Sequence, residues 1–169
     1  MRAKGQTRPA RTFWWERESR TDADELRAVI FDADSALADI DCDEARIDLI
    51  DSVMSLFVAG IWVSVVSARP RAQVQTMVRQ LLGDGLVETI VTLDDLPSSD
   101  TRRACGGELY RLALWEMGMT ARSALAVTGA GSCMFTPATA GLPTCGVDEP
   151  LSAASCQQAH RRWWIRQAA

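Results

Sequence analysis

Strand-sized apolar runs that alternate with helix-sized stretches predict an α/β chain: a three-layer, doubly wound parallel sheet of about five strands. Three observations carry this prediction. Ala28–Phe31 is a short β-branched and aromatic run, suited to a strand buried on both faces, and it ends on Asp32 and Asp34. Gly60, Pro70, Gly83 and Gly118 fall between the runs, where turns and helix ends belong. The chain has 169 residues, 47% of them apolar, enough for one domain with its own core.

The elements follow in order. Residues 1–24 are polar and basic, contain Pro9 and show no sustained periodicity, so they read as an N-terminal extension. An α/β domain is expected over residues 25–150, with a C-terminal helix or tail over 151–169. The first strand is 28–32. Asp43–Ala59 carries apolar residues at Ile47, Ile50, Val53, Met54 and Phe57, a helical stripe. Asp43 and Glu44 favour the start of that helix, and Gly60 suits the position just past its end. Ile61–Val66 reads as a second buried strand, ending at Ser67. Pro70 opens a helix to Leu82, closed by Gly83. Val87–Leu93 is a third strand, followed by a polar loop from Asp94 to Gly106. Glu108–Met117 is a helix, Ser123–Val127 a fourth strand and Pro143–Val147 a short fifth. Residues 152–167 form a last helix.

Composition narrows the chemistry. Five cysteines lie at irregular spacings with no CxxC, which suggests reduced thiols and a cytoplasmic setting. His160 is the only histidine and Lys4 the only lysine, so a site in the body must rely on other groups. No secretory signal is visible, and the longest apolar stretch, Val53–Val66, is too short and too interrupted to span a bilayer. Residues 1–20 hold six basic and two acidic side chains, whereas residues 21–159 hold nine basic and twenty acidic. That is a basic arm on an acidic body. The arm reads as a solvated tail drawn to the body, or as a contact for an anionic partner.

Strand ends in a parallel sheet line the ligand crevice, so Asp32 and Asp34 are the candidate site. Two carboxylates there can bind a divalent cation, and one can attack a phosphoryl group. The surrounding residues, VIFDADSALAD, keep Asp32, Asp34, Leu37 and Asp39 of the pattern hhhhDxDGTLxD, where h is apolar. VSVVSARP puts a hydroxyl, Ser67, at the next strand end, and RRACGGELYRLAL puts Glu108-Leu109-Tyr110 at a helix start. In these features the chain resembles the haloacid dehalogenase superfamily over roughly residues 27–148. It looks closest to the subgroup of β-phosphoglucomutase and related sugar-phosphate phosphatases.

The resemblance implies roles. Asp32 would be the nucleophile and Asp34 the general acid/base. Ser67 would hold phosphoryl oxygens of a phosphorylated substrate. Mg²⁺ would be the cofactor, held by Asp32 and Asp34 with Asp148 as a further partner. The pattern also departs from the family. Ser35 and Ala36 replace the usual Gly-Thr. The third-motif lysine is missing, leaving Arg102 or Arg103 to bind phosphate, and arginine's planar fork is not an ammonium. Thr128 and Gly129 stand where the family carries its acidic pair, so Gly129→Asp is expected to set a carboxylate beside Asp32. The loop Thr128–Ser132 reads either as an anion-binding turn or as a plain tight turn. Only about twenty residues separate Asp39 from the second strand, enough for one helix and no inserted cap.

Losing cationic elements removes much of the electrostatic stabilisation that phosphoryl transfer depends on. The sequence therefore predicts impaired phosphatase machinery and a binding or assembly role. The alternative is a residual Mg²⁺-dependent phosphohydrolase acting through an aspartyl-phosphate on Asp32. Trp14-Trp15 and Trp163-Trp164 are both flanked by arginines. Such pairs suit docking against the domain, a homo-oligomer contact or a protein partner. The acidic body disfavours nucleic acid, and a membrane partner is not expected.

Overall fold

The computed structural model describes residues 24–97, 107–130, 137–147 and 151–169. Within them, the expected alternation folds into one five-stranded, wholly parallel sheet with strand order β3-β2-β1-β4-β5. The strands are β1 (Ala28–Asp32), β2 (Trp62–Ser67), β3 (Thr89–Thr92), β4 (Ala124–Thr128) and β5 (Thr144–Gly146). The helices are α1 (Asp43–Val58), α2 (Arg71–Leu82), α3 (Glu108–Glu116) and α4 (Ala153–Ala168). β1 is central, with Phe31 paired between Val65 and Val127. The chain runs outward from β1 to β3 and then returns to the other side for β4. The order therefore reverses at β1 and β4, which opens a crevice outside their C-terminal ends.

Two apolar clusters sandwich the sheet. Val29, Phe31, Val63, Val65, Leu125 and Val127 face α1, α2 and α4. Ala28, Ile30, Val66, Val91, Ala124 and Ala126 face α3. Strand alternation places Asp32 on the side of Ile30, toward α3. The polar loop expected from Asp94 begins with a 3₁₀ turn, Leu93–Asp95, and β3 is shorter than the sequence suggested. Its residues 98–106 lie outside the described residues. Between Asp39 and β2 there is one helix, α1, and no inserted cap.

The inward face of α1 differs from the expected stripe. Leu49, Val53 and Leu56 are buried, whereas Ile47, Met54 and Phe57 are 56%, 40% and 57% exposed. Both sets satisfy a spacing of three to four residues, because α1 is apolar on more than one side. Periodicity alone cannot choose between them; packing on the sheet does. The helix ends as read, with Gly60 at φ +73° just past Ala59, and Gly83 closes α2 at φ +74°. An L side chain is strained at such angles, so glycine is the natural residue there.

Candidate functional site

β1 delivers Asp32 to the crevice as its last residue, 1% exposed. The chain then makes a single π-helical turn, Ala33–Leu37. That turn folds the backbone back over Asp32. The Asp34 N–H donates to Asp32 Oδ1 at 3.1 Å, and the Ser35 hydroxyl donates to Asp32 Oδ2 at 2.8 Å. Ser35 Oγ also accepts the Gly129 N–H at 3.0 Å, from the end of β4. Ser35 thus bridges the Asp32 carboxylate to the neighbouring strand end.

Asp34 faces β2. Its Oδ1 accepts the Ser67 hydroxyl at 2.7 Å, and its Oδ2 accepts the Ala68 N–H at 2.7 Å. Arg69 Nε lies 3.2 Å from Asp34 Oδ1. Ser67 Oγ in turn accepts the Arg69 N–H at 3.0 Å. Three of the expected residues, Asp32, Asp34 and Ser67, therefore lie together. Arg102, Arg103 and Asp148 lie outside the described residues, as do Gly131 and Ser132 of the glycine-containing loop.

Two contributors were not singled out for the site by sequence. Arg69 supplies positive charge to Asp34, and the signal was at hand in the two-residue offset from Ser67. Tyr110, on the first turn of α3, is fully buried in the cluster that contains Ile30 and Val66. Its hydroxyl has no hydrogen-bond partner among the described residues. Burial first, and then the carboxylates of Asp32 and Asp34, push its phenol up, so it stays protonated. At the crevice edge, Asp95 accepts from Arg71 Nη2 at 2.6 Å and from the Thr92 N–H at 2.7 Å. Burial pushes the Asp95 carboxyl up, but these partners outweigh it and hold the group below its ordinary value.

Gly129 corrects one expectation. A Cβ built on it would stand 1.9 Å from the Ser35 carbonyl oxygen and 2.6 Å from its carbon. The position cannot take an aspartate while the 33–37 turn stays in place. The Gly129→Asp repair therefore fails on steric grounds, because backbone occupies the space the new side chain would need.

The described donors do not make a fitting set for a hard divalent cation. No group of three or more His, Cys, Asp or Glu side chains is gathered for a metal among the described residues. Both Asp32 oxygens already accept hydrogen bonds, and Asp34 is shared among Ser67, Ala68 and Arg69. Mg²⁺ takes six oxygen ligands in near-octahedral geometry.

Comparison with solved structures gives the fold its company. CbbY from Rhodobacter sphaeroides, solved with phosphate, superposes with a TM-score of 0.57 at 15% identity, over 72% of this chain and 85% of that one. The cobalt-bound deoxy-D-mannose-octulosonate 8-phosphate phosphatase from Haemophilus influenzae gives 0.50 at 18% identity, over 85% and 89%. A putative phosphoglycolate phosphatase from Lactobacillus delbrueckii gives 0.50 at 18%, over 67% of this chain and 45% of that one. The chain has the haloacid dehalogenase-like fold. No protein-family model matches it, and no curated protein does. No helix among the described residues is long and apolar enough to cross a membrane.

Proposed function

We propose that this haloacid dehalogenase-like domain has impaired phosphatase machinery and acts by binding or assembly. The observation that carries the reading is the Ser35 bridge. Its hydroxyl donates to Asp32 Oδ2 and receives the Gly129 N–H. A nucleophile must present a lone pair in line with the phosphoryl group, and this hydrogen bond draws on one of the two oxygens that would do so. Asp34, the candidate acid/base, is held as an ion pair with Arg69 and as an acceptor from Ser67 and Ala68. Those contacts occupy both of its oxygens, so neither is presented to a leaving group. Assembly would use the outward side of α4, where Ile165 is 68% exposed between arginines 162 and 166. A cytoplasmic setting is supported by Cys42 and Cys156, which are free thiols.

A second reading rests on the convergence of Asp32, Asp34 and Ser67 at one strand edge. It is a residual Mg²⁺-dependent phosphohydrolase using Asp32 to form an aspartyl-phosphate. Hydrolysis of an aryl phosphate with and without Mg²⁺ separates the two, run beside calorimetric Mg²⁺ titration of the wild type and Asp32→Asn. The expected result is turnover several orders of magnitude below ordinary enzymatic rates and no Asp32-dependent heat. Ser35→Gly should loosen one Asp32 oxygen and raise the remaining turnover only slightly, because Asp34 stays tied to Ser67, Ala68 and Arg69. Ordinary enzymatic rates that vanish in Asp32→Asn would overturn the proposal in favour of the hydrolase.

A further inference from the structure

The outward face of α1 is amphipathic in an unusual sense. Ile47, Asp51, Met54 and Val58 recur at i, i+4, i+7 and i+11, so they form one line along the helix. Val58 is 81% exposed and Ile47 56%. Phe57 and Trp62, 57% and 43% exposed, extend the apolar surface to the start of β2. Asp43, Glu44 and Asp48 are exposed on the same helix. The opposite side, Leu49, Val53 and Leu56, is buried against the sheet, and α2 and α4 flank the helix. This is an acidic, apolar stripe that fits a basic, aromatic occupant.

We infer that the occupant is the chain's own segment 11–17, RTFWWER, laid along the outer face of α1. Residues 1–23 lie outside the described residues, and two observations select this part of them. The first is where the described chain starts. The Arg27 N–H donates to the Ser123 carbonyl and the Trp62 N–H donates to the Arg27 carbonyl, so the chain enters the sheet between the start of β4 and the turn that joins α1 to β2, with Asp24 paired to Arg122. Trp15 precedes Asp24 by nine residues, a reach of up to about 30 Å. The 16 residues of α1 are about 24 Å long, so the Trp pair can reach any point on the stripe. The second is charge. Arg11 and Arg17 flank the aromatic run, and residues 1–20 as a whole hold six basic against two acidic side chains, opposite in sign to Asp43, Glu44, Asp48 and Asp51. A second copy packed through the same face in a two-fold contact would set those four acids against themselves. Phe13, Trp14 and Trp15 supply the apolar area, and the arginines set the register.

The test is a double-mutant cycle on the full chain. One arm is Val58→Asp, an exposed position where the substitution disturbs no core. The other is Trp14→Ala with Trp15→Ala. The expected result is that Val58→Asp lowers the melting temperature in the wild-type background and has no effect, or a stabilising one, once the tryptophans are gone. Each variant should keep the mass of the wild type by light scattering. Acrylamide quenching should rise on Val58→Asp, and Trp14→Phe with Trp15→Phe should remove that rise. Equal effects of Val58→Asp in both backgrounds, or no effect in either, would overturn the inference. A wild-type dimer that Val58→Asp dissociates would assign the face to a second copy instead.

Discussion

Ser35 and Gly129 show how far a single side chain can set the state of a site. In the resembled motif glycine stands at position 35; here a hydroxyl ties β1's aspartate to β4. The tie brings the 33–37 turn so close to Gly129 that no side chain fits there. Gly129→Ala is therefore expected to destabilise by about 1–3 kcal/mol, the usual cost of forcing atoms into filled space. Thermal melting checks this, and an unchanged midpoint would mean that the turn yields easily. Asp32, Asp34 and Ser67 were legible in the sequence because strand ends in a parallel sheet address one crevice. Arg69, Tyr110 and the packing of Gly129 were not singled out. Arg69 was within local reach, two residues after Ser67, but Tyr110 and Gly129 depend on sheet side and on a contact 94 residues apart in sequence, which local patterning does not record.

At the scale of elements, propensity and punctuation located the four α-helices and five strands among the described residues, but not the short helical turns or which face of α1 turns inward. α4 gives the complementary case. Its Ser152 cap and its register were invisible as chemistry, yet its one histidine proves structural. His160 is 1% exposed, with Nε2 2.7 Å from the Arg122 carbonyl and 3.1 Å from Trp164 Nε1. One nitrogen cannot donate to the carbonyl and accept from the indole at once; the shorter contact favours a proton on Nε2. Arg122 also stacks its guanidinium over the Trp164 ring, 5.0 Å from the centroid. Burial holds the imidazole below its ordinary value of 6.5, with Arg161 adding to the effect and the Arg122 carbonyl and Asp24 opposing it. The unfolded chain then binds the proton first as pH falls. Stability from this group is fully present above about pH 6.5 and is lost as pH drops through the lower folded value. Melting temperature should decline over that window in the wild type and stay flatter in His160→Gln. Asp95, held below 3.8, acts only at more acidic pH and does not confuse the measurement.

At the scale of the whole molecule, the sheet is covered unequally: α1, α2 and α4 line one side and α3 the other. The β4–β5 end of the first side relies on α4, which packs Cys156, Ala153 and Ala159 near Cys145 and Val147. Leu125 and Val127 belong to the same cluster. The Ala153 N–H reaches across to Ser55 on α1 at 3.0 Å, so α4 also links its side to the helix layer. Deleting residues 151–169 would expose that end of the core and leave the Arg122 carbonyl without His160. Each apolar side chain returned to water costs about 1.5–3 kcal/mol. A loss of two such groups is a large share of a total of about 5–15 kcal/mol. At about 2–4 °C per kcal/mol for a domain of this size, the midpoint should fall by roughly 6–24 °C, with added exposure of apolar surface to a dye such as ANS. A truncated chain that melts within about 2 °C of the full one would show instead that α4 is an appendage and that β5 shields the core without it.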